Sequence, residues 1–233
     1  MVYQYVSKPK DIVITEYNAD KHAKEHSVFI TRDSEMTELK EGKDYIVDVK
    51  GGGDEWTEYR YTIFSNNFVG DARYTVSIHS VDEAGNINVS DSDKKNAEVS
   101  FCVDKTKPLC IPLNIADNRT YKGESYTARL SVSDNIVLKN IRVYVDGLPV
   151  TTRLDDDECT FNIPNSGHAR EINVVLTDMA GNEEEYNYKN ILVTTNILRL
   201  LIRKTWFKIT AGAALLLAGA AVVFFRRRKK RLL

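Results

Sequence analysis

The chain has 233 residues, and its 32 Lys and Arg against 33 Asp and Glu leave a formal net charge of −1. That balance argues against nucleic acid as a partner, and the length accommodates two domains with further segments. Cys102, Cys110 and Cys159 are odd in number and lack CxxC spacing, which excludes a zinc ribbon or a dense disulfide framework.

From the N-terminus, apolar residues alternate with polar ones at Val28 and Ile30, at Tyr45, Val47 and Val49, at Tyr59, Tyr61 and Ile63, at Tyr74, Val76 and Ile78, and at Val99, Phe101 and Val103. A period of two predicts half-buried strands, broken by Gly51-Gly52-Gly53-Asp54. The one helical spacing falls around Asp20 to His26, where His22 and His26 would share a face without a third zinc ligand. The stretch Val103 to Pro108, VDKTKP, is an extended linker, because the residue before a proline is pushed out of the α region. It keeps the Cα atoms of Cys102 and Cys110 beyond the ~7 Å reach of a disulfide, so free thiols are expected.

Alternation resumes at Ala128, Leu130 and Val132, at Ile141, Val143 and Val145, and at Val174 and Leu176. Asp146-Gly147 supplies a hairpin turn and Pro164 to Gly167 a corner, so about seven short strands fit between Leu109 and Thr195. A motif repeats with an offset of 96 residues: Asp82, Gly85 and Asn86 in DEAGN, and Asp178, Gly181 and Asn182 in DMAGN. Each copy follows an apolar alternating run, so the repeated unit is strand, turn, strand.

Residues 209–225 carry no charge, and Trp206 and Phe207 lengthen the run to a membrane span. Lys208 near its outer edge can snorkel to the headgroups. Arg226, Arg227, Arg228, Lys229, Lys230 and Arg231 follow directly, and the positive-inside bias puts them in the cytoplasm with the bulk of the chain outside. The first residues, MVYQYVSKPKD, do not have the pattern of a signal peptide, so the chain reads as the C-terminal fragment of a longer exported protein.

The DEAGN and DMAGN turns, with VDKTKP between them, resemble the tandem immunoglobulin-like repeats of Gram-positive bacterial surface proteins. The resemblance implies an all-β fold of two tandem immunoglobulin-like β-sandwiches followed by one transmembrane α-helix. The segments are 1–104 for the first sandwich, 105–108 for the linker and 109–195 for the second sandwich. A juxtamembrane segment (196–205), the transmembrane helix (206–225) and a basic cytoplasmic tail (226–233) follow. The span with its basic end also resembles a sortase sorting signal, but no LPxTG precedes it, which favours retention in the membrane. The function implied is a non-catalytic stalk or spacer at the cell membrane that displays upstream domains. The alternative is an adhesin-type module that binds a host protein or glycan.

Candidate sites are sparse. Turn chemistry accounts for Asp82, Gly85, Asn86, Asp178, Gly181 and Asn182 without a ligand, and no cofactor is implied. A calcium ion, which needs six to eight oxygens, would draw on Asp82, Asp134 and Asp178. Asp155-Asp156-Asp157-Glu158 reads as a solvated connection. Trp56 and Tyr59, in an aromatic stretch with Tyr61 and Phe64, are the ligand-binding candidates, although alternation puts Tyr59 and Tyr61 on a core face. No GxSxG elbow, phosphate loop or Cys-His pairing appears, so the chain is not expected to be an enzyme.

Overall fold

The computed structural model describes residues 4–18, 23–51, 57–82, 85–88 and 98–202. In chain order the strands are β1 (Gln4–Val6), β2 (Ile12–Asn18), β3 (Ala23–Arg32), β4 (Glu35–Glu38), β5 (Tyr45–Lys50), β6 (Thr57–Ile63), β7 (Ala72–Asp82), β8 (Ile87–Asn88) and β9 (Glu98–Val103). There follow β10 (Leu109–Pro112), β11 (Thr120–Lys122), β12 (Ser125–Ser133), β13 (Leu138–Val145), β14 (Leu148–Val150), β15 (Thr152–Asp155), β16 (Glu158–Pro164), β17 (Arg170–Asp178) and β18 (Glu183–Thr194), then α1 (Ile197–Ile202). The described chain is all-β apart from that one short helix and a 3-10 turn at Ser65–Asn67.

Two compact units divide the chain. The first comprises Met1–Pro108 with two later segments, Asp134–Lys139 and Thr177–Glu183. Its sheets run β1-β9-β7-β3-β4, with β8 on β7, and β2-β6-β5. All the pairings are antiparallel except β1 with β9. The two sheets share one core, because the period-two pattern turns Val28 and Ile30 of β3, Tyr59, Tyr61 and Ile63 of β6 and Tyr74, Val76 and Ile78 of β7 inward. Phe68, Tyr74 and Phe101 meet in that core, with Phe68 edge-on to both partners at centroid distances of 5.4 and 5.0 Å.

The second unit comprises Leu109–Ser133, Asn140–Leu176 and Glu184–Leu233. Its sheets run β10-β12-β16-β15 and β11-β18-β17-β13-β14, and the β11–β18 pair is parallel. Ala128, Leu130, Val132, Phe161 and Ile163 from one sheet and Val143, Val145, Ile172, Val174 and Leu176 from the other are buried. In the first unit the short β1 lies parallel to the last strand β9, in the second the short β11 lies parallel to the last strand β18, and in each a five-strand path and a three- or four-strand path face a common core. This is the arrangement of an immunoglobulin- or fibronectin-like sandwich.

Two expectations change. The helix around Asp20 to His26 is not formed in the described part, since β3 starts at Ala23 and pairs with β7. Tertiary pairing along ten residues outweighs a two-histidine spacing, and His26 Nε2 instead lies 3.2 Å from Glu41 Oε2. His22 lies outside the described residues. The stretch from Leu109 to Thr195 holds nine strands rather than about seven, because its first strand is split into β10 and β11 and hairpin arms as short as β14 form around Asp146-Gly147.

Residues 206–225 and the basic run Arg226 to Arg231 lie outside the described residues. Among the described residues no helix is long and apolar enough to cross a membrane. What is described of the approach to that segment is α1, capped by Asn196, whose Oδ1 accepts the Leu198 N–H at 3.0 Å.

Candidate functional site

The two repeat turns are built alike. The Asp82 N–H donates to Asn86 O, and its carboxylate accepts the Asn86 N–H at 2.7 Å and the Asn86 Nδ2 amide at 2.7 Å. Asp178 accepts the Asn182 N–H at 2.8 Å and the Asn182 amide at 2.6 Å. Gly85 and Gly181 sit at φ of 85° and 87°, a left-handed conformation that costs a residue with a Cβ about 1–2 kcal/mol. Local chemistry thus fixes both turns.

Around Asp178 the first unit adds more. Asn182 Nδ2 also donates to the carbonyls of Asp104 at 2.9 Å and Thr106 at 3.2 Å, which ties the turn to the segment after β9. The Thr106 N–H donates to Asp104 Oδ1 at 3.1 Å, and the Asp104 N–H donates to Val6 O. Asp134 follows β12, and its Oδ2 accepts the Ile136 N–H at 3.1 Å. One oxygen from each of Asp104, Asp134 and Asp178 lies within 4.8 Å of the others.

Asp104 and Asp178 have no solvent exposure. Asp104 Oδ2 and Asp134 Oδ1 are both buried without a hydrogen-bond partner. Burial, then the charges of Asp134 and Asp178, push the Asp104 carboxyl up to about 6 against the pull of the Thr106 N–H. Asp71 is close by and behaves differently. Burial pushes its carboxyl up, but hydrogen bonds from Thr106, Lys105 and Asn135 outweigh that and hold it below the usual range. Lys105 turns its Nζ to the Val69 carbonyl at 3.0 Å.

The structure therefore joins Asp134 and Asp178 of the calcium candidates. Asp82 is outside the group, since its carboxylate serves the Asn86 turn and the single such group among the described residues is Asp104, Asp134 and Asp178. Sequence reasoning missed Asp104 because it stands in the extended VDKTKP stretch, which reads as linker. The available signal was an acid placed directly after the buried end of a strand, Val103.

The aromatic candidates separate as well. Tyr59 and Tyr61 are buried in the first core, with the Tyr61 hydroxyl donating to Glu16, so they present no stacking face. Trp56 lies outside the described residues. Asp155 to Glu158 form the hairpin between β15 and β16, where Glu158 pairs with Arg129 at 2.7 Å on the surface. Cys102, Cys110 and Cys159 are buried free thiols.

No family model matches the chain, and no curated protein matches it. Solved structures do. Fibronectin(III)-like modules of Clostridium thermocellum CbhA match at 15% identity and a TM-score of 0.38, over 82% of this chain and 90% of theirs. The Yersinia pseudotuberculosis adhesin InvE matches at 9% identity and a TM-score of 0.25, over 80% of this chain and 56% of its own. The Bacteroides ovatus mixed-linkage glucan utilization locus protein SGBP-B, solved with a mixed-linkage heptasaccharide, matches at 17% identity and a TM-score of 0.23, over 82% and 42%. None of these scores reaches 0.5, so the functional reading rests on this chain's own residues.

Proposed function

We propose that this chain is a non-catalytic cell-surface spacer built of immunoglobulin-like sandwiches and held at the membrane through residues 206–225, with Arg226 to Arg231 on the cytoplasmic side. The observation that carries the reading is the state of the segment after β9. A flexible tether leaves its backbone to water. Here the Lys105 N–H donates to Asp71 Oδ1 at 2.8 Å, and the Asp104 and Thr106 carbonyls both accept from Asn182. The alternative, an adhesive module for a host protein or glycan, loses Tyr59 as a stacking surface because that side chain belongs to the core.

The test places nitroxide labels at the exposed positions Glu35→Cys and Asp156→Cys of the full chain in nanodiscs, where burial shields the three native thiols. A spacer gives one narrow distance distribution by pulsed dipolar spectroscopy. A distribution spread over tens of ångströms rejects the spacer in favour of a loose tether. Labelling of Asp156→Cys by an impermeant maleimide on intact cells tests the outward topology.

A further inference from the structure

We propose that Asp104, Asp134 and Asp178 form a binding site for one calcium ion. The reading goes beyond the spacer assignment and holds whether the chain is a spacer or an adhesin. An acidic cluster on a surface would be unremarkable, since water solvates each carboxylate. These three differ in that Asp104 and Asp178 are shut off from solvent, and Asp104 Oδ2 and Asp134 Oδ1 are buried with no hydrogen-bond donor. A buried, unpaired carboxylate oxygen is among the most unfavourable groups a folded chain can hold, and like charges close together add to the cost. A cation among the three oxygens removes both penalties at once.

The chemistry of the donors selects the ion. All three are carboxylate oxygens, with no thiolate or imidazole in the group, so a hard cation fits and zinc or copper does not. Oxygens within 4.8 Å of one another suit an ion that holds each ligand at about 2.3–2.6 Å. Magnesium draws its ligands in to about 2.0–2.1 Å in near-ideal octahedral geometry, which three carboxylate oxygens spread over as much as 4.8 Å serve less well than calcium's longer, more flexible coordination.

The surrounding bonds orient the ligands. The Thr106 N–H holds Asp104 Oδ1, which leaves Oδ2 for the ion. The Ile136 N–H holds Asp134 Oδ2, which leaves Oδ1. Asn182 holds both Asp178 oxygens and is a positioning residue, each carboxylate oxygen retaining a second lone pair.

The experiment is calcium titration of the full chain in detergent micelles after dialysis against EGTA, followed by isothermal calorimetry and by the melting temperature. The expected result is one calcium per chain, a dissociation constant of about 0.1–1 mM as in other extracellular modules, and a melting temperature raised by several degrees. Asp134→Asn removes both the heat and the shift, while Asp156→Asn, in the exposed hairpin acids, leaves both in place. Asp104→Asn gives the same loss, and where that variant fails to fold Asp134→Asn decides, because asparagine keeps the acceptor for Ile136. Absence of heat and shift in the wild type up to about 10 mM calcium overturns the site, as does unchanged binding in Asp134→Asn. An equal shift from magnesium at the same concentration overturns the assignment to calcium.

Discussion

The turns at Asp82–Asn86 and Asp178–Asn182 share their hydrogen bonds, their left-handed glycine and their place at the end of a central strand, yet among the described residues only the second belongs to a carboxylate group. In the first, the Asp82 carboxylate accepts both the Asn86 N–H and its side-chain amide. In the second, the Asn182 amide reaches past its own turn to Asp104 and Thr106, and two further acids close on Asp178. A five-residue motif therefore fixes a backbone shape, and what that shape does depends on the chain brought up against it.

The largest expected effect separates the two asparagines. Asn182→Ala removes three amide hydrogen bonds and should cost the first unit about 2–3 kcal/mol in urea denaturation, against about 1 kcal/mol for Asn86→Ala. Equal costs would show that the tie to Asp104 and Thr106 adds nothing. Next comes Asp104→Asn, whose effect changes sign. In EGTA the substitution relieves like-charge repulsion and should stabilise the first unit by about 1–2 kcal/mol, whereas in millimolar calcium it should destabilise it. Asp82→Asn should lower stability by the same amount with and without calcium, and a calcium-dependent loss there would dissolve the contrast between the turns.

Gly85→Ala and Gly181→Ala sharpen the local half of the comparison. A Cβ at either position meets no atom within 4 Å, so only the positive φ is penalised and both should cost the same, about 1 kcal/mol. The smallest effect concerns an acid that does have cations. Asp146 pairs with Arg170 at 2.9 Å and His168 at 3.3 Å. Burial raises its pKa, but the Glu171 N–H and these two partners outweigh burial and hold it below the ordinary value. Its contribution is therefore present above the unfolded value near ~3.9 and lost as pH falls through the lower folded value, less than about 1 kcal/mol for so exposed a group. Acid denaturation of Asp146→Asn beside wild type measures it, and no difference below pH ~4 would contradict the pairing.

Much of the fold was legible because sheet packing writes a period of two into the chain. Tyr59, Tyr61 and Ile63, or Ala128, Leu130 and Val132, could face only one way. Less was legible where strands are short or polar: β4 reads EMTE and is exposed throughout, and β8 has two residues. The start of β3 was misjudged because HAKEH carries local helical spacing while the pairing that overrides it comes from β7, some fifty residues on.

The sequence alone determined that the residues before the apolar C-terminal run form alternating strands, that two copies of one glycine turn occur, and that Asp134 stands in a loop and Asp178 at the end of a strand. Those features depend on neighbours in the chain, through side-chain alternation and the backbone freedom of glycine. Only the tertiary structure decided that Asp104 joins Asp134 and Asp178 while Asp82 stays apart, and that Tyr59 belongs to a core. Distances between residues far apart in sequence follow from how strands pair and sheets pack, and no local pattern encodes them.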